Sequence, residues 1–374
     1  MDSFAFAHVR SPQWQKAAES CLSQMSLTTH TPVANLGFLY VTDLLAGDLA
    51  DILEYFKRHT GVTHWVGTVG IGICSQATEY FDTPALAVMV GYFPENTFRV
   101  FTPIISDFEE FTQVHQDWYA GKQPVFAVVH GDPRNSQITQ LVSQLSEQLD
   151  EGFLVGGLTS SRTQFFQIAD TVIDGGLSGV LFTQEVAVTT RLTQGCSPLG
   201  ARHQITQCEN NIIIRIDGRP ALDVFNEDIG EELAKDLSKA AGYIFAALPI
   251  AGSDTGDYMV RNLVGVDPEN KLLAIGELVT AGTPIMFTRR DTQTAYNDLV
   301  KMLNTLKRRL TSSPKGGIYC SCLGRGENLF GKNSRELKTI QSILGDFPLV
   351  GFFANGEIYH QRLYGYTGVL TLFL

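Results

Sequence analysis

The sequence is short of basic charge and of long apolar runs, and each shortage excludes a class of protein. Its 374 residues carry 28 Lys and Arg against 39 Asp and Glu, which leaves a formal net charge of -11. Proteins that wrap DNA or RNA need a basic surface that releases counterions from the phosphates, so we do not expect a nucleic-acid partner. No apolar run approaches the roughly 20 residues that span a bilayer, and MDSFAFAHVR has no basic leader before an apolar core. Membrane insertion and secretion are therefore not expected.

Cysteine is scarce as well, with six residues spread irregularly over the chain. Small secreted domains carry closely spaced cysteines that form a disulfide framework, whereas sparse cysteines are typical of reduced thiols in the cytoplasm. We therefore predict a cytoplasmic protein.

The common catalytic and metal-binding motifs are missing too. There is no Walker A loop, no HExxH helix and no GxSxG nucleophile elbow. None of the eight histidines lies three or four residues from another, so no zinc or di-iron site is visible. We predict that the protein is not an enzyme, binds no metal and needs no cofactor. A single histidine as the axial ligand of haem stays an open alternative.

The chain does contain one unit repeated three times. A short apolar run ends in glycine at Val66-Gly67, at Val155-Gly156 and at Val350-Gly351. Each run follows a strand and a helix and precedes another strand, which predicts three βαββ units. The predicted elements are 36–41, 48–59, a strand ending at 67, and 85–90; then 125–129, 136–149, 153–157 and 177–182; then 317–322, 334–344, 349–353 and 366–373.

A different region separates the second and third units. It is predicted to contain a β-branched strand at 211–217, a helix from 221 to about 237 with a break at Gly230, strands at 258–264, 272–279 and 285–289, and a long helix capped by Asp291. We predict an α/β fold in which repeated βαββ units form two mixed-sheet α/β domains with helices packed on the sheets. The predicted division is an N-terminal strand and helix at 1–32, a first domain at 33–220 and a second at 221–374.

The third unit ends in an amide, a hinge and a carboxylate, namely Asn355, Gly356 and Glu357, where the first two units end in small residues. Because the ends of neighbouring strands lie side by side, we expect the guanidinium of Arg325 and the carboxylate of Glu357 to converge at the same end of the sheet. Cys322 ends the preceding strand beside Arg325, whose charge favours the thiolate. These groups suit the ammonium and carboxylate ends of a small polar ligand. The same residues also fit a capped turn, and a nucleophilic Cys322 is a further alternative.

Five linked segments resemble the FIST domain family, named for F-box and intracellular signal transduction proteins. They follow one another in the family's order and cover most of the chain. The segments are 65–67 with 85–88, then 154–158, then 195–200 with 217–222, then 261–267, and finally 321–326 with 351–357.

The resemblance implies a sensory module that binds a small ligand, such as an amino acid or a related metabolite. It implies a signalling partner such as a histidine kinase, a cyclase or a chemotaxis protein, and because no output domain is visible we expect that partner to be a separate chain. The motif at 261–267 adds Arg261 and Asn262 to the expected ligand-binding residues. Some relatives bind haem and sense nitric oxide, so a haem sensor of a diatomic gas is one alternative. A ligand-independent interaction scaffold is another.

Overall fold

The computed structural model describes residues 4–26, 33–121, 124–149, 152–235, 242–250 and 258–374. Its strands are β1 (Ala5–Arg10), β2 (Leu36–Thr42), β3 (His64–Gly70), β4 (Gly72–Ser75), β5 (Thr78–Phe81), β6 (Ala85–Gly91), β7 (Phe98–Ile104), β8 (Pro124–Gly131), β9 (Phe153–Leu158), β10 (Gln167–Ala169), β11 (Thr171–Ile173), β12 (Leu177–Thr183), β13 (Val188–Gln194), β14 (Cys196–Glu209), β15 (Ile212–Ile216), β16 (Arg219–Pro220), β17 (Ile244–Pro249), β18 (Tyr258–Asp267), β19 (Leu272–Ile275), β20 (Pro284–Arg290), β21 (Gly316–Cys322), β22 (Leu349–Ala354), β23 (Glu357–Tyr359), β24 (Arg362–Tyr364) and β25 (Thr367–Phe373).

The helices in this part of the chain are α1 (Trp14–Met25), α2 (Leu49–Thr60), α3 (Phe108–Gly121), α4 (Ile138–Glu147), α5 (Ala221–Ile229), α6 (Glu231–Ala234), α7 (Thr292–Lys307), α8 (Glu327–Phe330) and α9 (Arg335–Leu344). None of these described helices combines the length and the apolarity needed to cross a membrane. The end of the helix predicted to reach residue 237 lies outside the described residues.

The chain forms two compact units, Met1–Gln194 with Asp298–Leu374, and Gly195–Asn297. All three predicted repeats lie in the first of these units. The predicted α/β fold class is confirmed, because the units contain mixed sheets with helices packed on them. The domain boundaries at 32/33 and 220/221 stay a prediction.

Each repeat forms the expected βαββ unit with the same strand pairing. In the first repeat, β2 and β3 are parallel and β6 pairs antiparallel with the other edge of β2. The strands β8, β9 and β12 repeat this arrangement, and so do β21, β22 and β25. A helix joins the first two strands of each repeat because parallel neighbours cannot be joined by a tight turn.

The hairpin between the second and third strands of each repeat joins the sheet of another repeat. Hairpin β4–β5 of the first repeat pairs with β22 of the third. Hairpin β10–β11 of the second pairs with β3 of the first, and hairpin β23–β24 of the third pairs with β9 of the second. This cyclic exchange completes three sheets, in the orders β1-β6-β2-β3-β10-β11, β24-β23-β9-β8-β12-β7 and β13-β25-β21-β22-β4-β5.

One apolar core is shared by the three sheets of the first unit. Tyr40 from the first repeat, Phe126 from the second, and Phe352 and Phe373 from the third lie in a single cluster of buried side chains. The opposite face of the first sheet packs against α1 and α2, and that of the second sheet packs against α3 and α4. Sheets covered on both faces need continuously apolar strands, which explains why every residue of β2, β6, β12 and β25 is buried.

The second unit is a closed sheet with its own core. Its strands follow the order β14-β20-β17-β18-β19-β15-β16, and an additional pairing of β14 with β15 closes the sheet on itself. Leu222 and Phe225 on α5 pack into this core. The predicted helix break is confirmed, because α5 ends at Ile229 and α6 begins after Gly230.

Each repeat also depends on a glycine in its second strand. A Cβ atom at this position would lie 1.8 Å from the carbonyl oxygen of the residue opposite in the first strand. No side chain fits such a close approach of two backbones, so only glycine permits this strand pairing. The glycine that ends each apolar run in the sequence therefore marks the contact between the two parallel strands. The pairs are Gly67 with Leu39, Gly156 with Val129 and Gly351 with Tyr319.

We expect Gly351→Ala to destabilise the protein by about 3 kcal/mol or more, because the new methyl group must push β22 away from β21. The free energy of unfolding in urea measures the effect. Gly47→Ala is the control, since a Cβ there would have only the Gln164 side chain, 3.9 Å away, within van der Waals range. Equal stability of the two variants would contradict the steric role of Gly351.

Candidate functional site

The site begins with a buried ion pair at the end of β21. Arg325 lies in the loop between β21 and α8, and Glu336 lies in the first turn of α9; both side chains have no exposed surface. Nε of Arg325 donates to Oε1 of Glu336 over 2.8 Å. Nη2 of Arg325 lies 2.7 Å from the same oxygen, but at an angle outside hydrogen-bonding geometry. The guanidinium therefore uses only part of its donor capacity on this carboxylate.

Glu336 is a fully bonded carboxylate. Its Oε1 also accepts a hydrogen bond of 2.6 Å from the Tyr319 hydroxyl, and its Oε2 accepts one of 2.9 Å from the Gly326 backbone N–H. The Ser321 hydroxyl lies 3.4 Å from Oε2. These donors, together with Arg325, hold a charge away from water, which a buried carboxylate requires.

Glu357 opens the exchanged hairpin β23–β24 and is also completely buried. Its Oε2 accepts hydrogen bonds from the Thr367 backbone N–H, over 3.0 Å, and from the Thr367 hydroxyl, over 2.7 Å. Its Oε1 is buried without a partner in hydrogen-bonding geometry. Burial raises the pKa of Glu357 to about 8, although Thr367, the Arg325 charge and the neighbouring Cys322 side chain act to lower it. At neutral pH Glu357 is therefore mostly a neutral acid.

A third carboxyl group, that of Glu79 on β5, approaches from the hairpin of the first repeat. Burial, and then the charges of Glu336 and Glu327, raise the pKa of Glu79 to about 8, while the backbone N–H groups of Leu337 and Glu327 lower it. Glu79 is thus close enough to interact with the charge of Glu336, the partner of Arg325. With pKa values of about 8, Glu79 and Glu357 are both mostly protonated near pH 7.

The two cysteines of β21 lie as expected, but Cys322 is not activated. Cys320 is buried in the shared core, and Cys322 is partly exposed at the strand end. Burial raises the pKa of the Cys322 thiol, the Glu357 carboxyl raises it further, and Arg325 lowers it by less. Arg325 does act in favour of the thiolate, as expected, but loss of hydration outweighs the attraction of the guanidinium and leaves Cys322 a thiol.

The remaining predicted ligand-binding residues have different surroundings. Asn355 is exposed, and its backbone N–H donates to the Leu158 carbonyl over 3.0 Å. The Gly356 carbonyl accepts from the Leu158 N–H over 2.8 Å, so this turn is tied to the second repeat. Arg261 and Asn262 lie on β18 in the other compact unit.

The other two repeats carry related clusters at the ends of their first strands. In the second, Arg134 binds the buried Asp132, with 2.5 Å between Nη2 and Oδ2, and also Asp174, with 3.1 Å between Nη2 and Oδ2. In the first, Asp43 and Asp82 bind the half-exposed guanidinium of Arg162, which follows β9 of the second repeat. Each of these arginines thus lies between two aspartates, whereas Arg325 is paired with the single carboxylate of Glu336.

A separate cavity of about 540 Å³ opens beside β3 and β7. His64 lies in its wall with Nδ1 2.9 Å from Oδ2 of Asp170, which leaves the other ring nitrogen available. Phe98, Trp118 and Arg99 also line it. An imidazole held by a carboxylate in this way is the usual arrangement of a histidine that binds a metal.

Sequence reasoning missed Glu336, Glu79 and Thr367. A signal existed for Glu336, which lies four residues before the buried Ile340 and so falls on the apolar face of α9. A charged residue on such a face needs a buried partner. Glu79 and Thr367 carry no comparable signal. The exchanged hairpin β4–β5 brings Glu79 to the cluster, and Thr367 reaches Glu357 from the start of β25.

The raised pKa of Glu357 predicts a pH-dependent stability. The folded state keeps the proton up to about pH 8, whereas the ordinary carboxyl pKa is 4.5, so the folded state binds more protons between these values. We expect the free energy of unfolding to fall as pH rises from about 4.5 to about 8, and to fall less steeply in Glu357→Gln. Urea titrations at pH 5, 6.5 and 8 measure both slopes. Glu54→Gln, which changes an exposed carboxyl group, should keep the wild-type slope, and an unchanged slope in Glu357→Gln would refute the assignment.

Comparison with known proteins agrees with the sequence motifs. The FIST N domain matches residues 35–219 and the FIST C domain matches residues 221–360. The uncharacterized protein Rv0628c of Mycobacterium tuberculosis is 29% identical over 345 residues, which cover 87% of each chain. The uncharacterized protein Mb0898c of Mycobacterium bovis is 32% identical over 232 residues, 60% of this chain and 59% of its own. FIST domains are in general sensory and signal-transduction modules. The resemblance is confirmed, and the chain belongs to the FIST domain family.

Proposed function

We propose that the protein is a cytoplasmic sensory module that binds a small polar ligand, such as an amino acid or a related metabolite. It then signals through a separate protein, such as a histidine kinase, a cyclase or a chemotaxis protein. Membership of the FIST family supports the sensory role. The observation that supports a ligand here concerns Arg325 and Glu357, whose side chains are both fully buried. Nη2 of Arg325 and Oε1 of Glu357 have no partner in hydrogen-bonding geometry.

Incomplete bonding is costly inside a protein. A buried donor or acceptor without a partner costs about 1–3 kcal/mol, and native proteins leave few such groups. In our proposal a ligand supplies a partner for Glu357 Oε1 and a better-aligned partner for Arg325 Nη2, which already lies 2.7 Å from Glu336 Oε1, and so recovers part of this free energy on binding. The free energy lost by leaving these groups unbonded in the unliganded protein then contributes to the affinity for the ligand.

Partly exposed residues lie next to Arg325, namely Cys322, Gly324 and Tyr366. The Tyr366 carbonyl accepts a hydrogen bond from Arg325 Nη1 over 3.5 Å, and Tyr366 has a backbone φ of 63°, which a bulky residue rarely adopts. In our proposal the ligand enters between these partly exposed residues and changes their conformation. The partner protein detects this change.

We propose no catalytic step at this site. The raised pKa keeps Cys322 in the thiol form at neutral pH, and a thiol is a poor nucleophile. Binding without turnover is also the general role of the family's sensory domains.

A thermal-shift screen of amino acids and small metabolites tests the proposal. A ligand present at 100 times its dissociation constant adds about 2.7 kcal/mol to the stability of the folded state, so a hit should raise the melting temperature by several degrees. We expect Glu357→Ala to abolish the shift. Asp174→Ala is the matched control, because it removes an exposed carboxylate from the related cluster of the second repeat.

Two results would count against ligand sensing. One is a screen without any stabilising compound. The other is a hit that Glu357→Ala and Asp174→Ala leave equally unchanged. Binding of a signalling partner that responds to none of the compounds would instead support the scaffold alternative.

A haem sensor of nitric oxide or another diatomic gas is the second candidate, and the cavity beside β3 favours it. His64, oriented by Asp170, would supply a nitrogen ligand to the iron, and Phe98, Trp118 and Arg99 in the cavity wall would hold the porphyrin. Bound haem would supply an iron atom that coordinates the gas. The residues that line the cavity are therefore compatible with haem. The sensory role of the family is equally consistent with a ligand bound at Arg325.

Haem binding predicts a Soret band when the purified protein is mixed with haemin. We expect His64→Ala to remove the band or shift its maximum, because the axial nitrogen is lost. His59→Ala is the control, since His59 lies at the exposed end of α2 and bonds the Tyr55 carbonyl. A chain that stays colourless, or a band that is indifferent to His64→Ala, would rule out this assignment.

A further inference from the structure

We infer that the ligand group recognised by Arg325 and Glu357 is a carboxylate and not an ammonium group. The inference rests on the proposed function and adds to it the chemical class of the ligand. Three observations carry it: the related clusters of the other repeats, the hydrogen-bonding inventory of the site, and the charge balance around Glu357.

The related clusters show which partner Arg325 lacks. Arg134 and Arg162 each bind one aspartate that directly follows the first strand of a repeat, and a second aspartate on the segment before the last strand. The second aspartates are Asp174 and Asp82. In the third repeat the carboxylate that binds Arg325 comes from Glu336 on α9, and residues 358–366, which precede the last strand, contain no acidic residue. We infer that a carboxylate of the ligand takes the place of the second aspartate.

The unused groups at the site are mostly donors. Arg325 carries five N–H groups, of which Nε donates to Glu336 and Nη1 reaches the Tyr366 carbonyl only at 3.5 Å. Nη2 lies 2.7 Å from Oε1 of Glu336 in an ion pair that lacks hydrogen-bonding geometry within the described residues, so its N–H groups are not well used. A carboxylate accepts two parallel hydrogen bonds from a guanidinium, whereas an ammonium group has only donors to offer.

The protonation of Glu357 completes the donor set. The groups that act on it are the Arg325 guanidinium, the Thr367 hydroxyl and N–H, and the thiols of Cys320 and Cys322. Because both Thr367 donors bind Oε2, we place the proton on Oε1, where it provides a further donor for a ligand carboxylate. A neutral Glu357 also avoids the repulsion that two carboxylates would suffer in a buried site.

The test compares sodium acetate and sodium propanoate with methylammonium chloride at equal ionic strength. We expect the two carboxylates to raise the melting temperature at pH 7 and methylammonium to leave it unchanged. Calorimetric titration with acetate should then show an affinity that falls about tenfold per pH unit above pH 8, as Glu357 loses its proton. Acetate itself stays fully ionised over this range.

Two variants separate the roles of the side chains. Glu357→Gln keeps a donor without a titrating proton, so it should still bind acetate but lose the fall above pH 8. Because Arg325→Met alone leaves Glu336 without its counterion, it is combined with Glu336→Gln, and the double variant should fold by circular dichroism but no longer respond to acetate. Arg219→Met is the control, since Arg219 pairs with Glu227 in the other unit.

The outcomes distinguish this inference from the function on which it rests. Stabilisation by methylammonium instead of acetate, an acetate affinity that rises above pH 8, or loss of acetate binding in Glu357→Gln would overturn the carboxylate assignment. Stabilisation only by compounds without a carboxylate would also overturn it and leave ligand sensing intact. A complete absence of stabilising compounds would overturn the proposed function itself.

Discussion

Exchange of hairpins between repeats is the constraint on which the first unit depends. Each second strand gains its outer neighbour from another repeat, so none of the three sheets is complete without a different part of the chain. An unpaired strand edge exposes a row of backbone donors and acceptors. The three repeats must therefore fold together, and the shared core of aromatic side chains forms only when all three are present.

The candidate site is a direct product of this exchange. Glu357 sits on a hairpin that pairs with β9 of the second sheet, yet its carboxyl group bonds Thr367 on β25 of the third sheet. Glu79 reaches the same cluster on the hairpin of the first repeat. A ligand that binds between Arg325 and Glu357 consequently touches elements that belong to different sheets, which gives a local binding event a path to a larger part of the unit.

Stability alone does not account for a buried cluster of this composition. A buried ion pair such as Arg325 with Glu336 gains little over apolar residues of similar volume, because dehydration offsets the attraction of the charges. The additional carboxyl groups of Glu79 and Glu357 are held neutral against their ordinary behaviour in water. Perturbed carboxyl groups beside partly exposed residues are typical of functional sites, and this cost is the physical reason why we propose a ligand here.

The sequence by itself determined the family, the fold class and the three βαββ units. Apolar runs, helical spacing and one glycine per unit carry that information locally, and Gly67, Gly156 and Gly351 mark real contacts between backbones. It also pointed to Arg325, Cys322 and Glu357 as neighbours. Only the tertiary structure decided that Glu336 and Thr367 bond these groups, that burial keeps Cys322 a thiol, and that Arg261 and Asn262 belong to the other unit. These outcomes depend on pairing between distant segments and on loss of hydration, and neither leaves a periodic pattern in the chain.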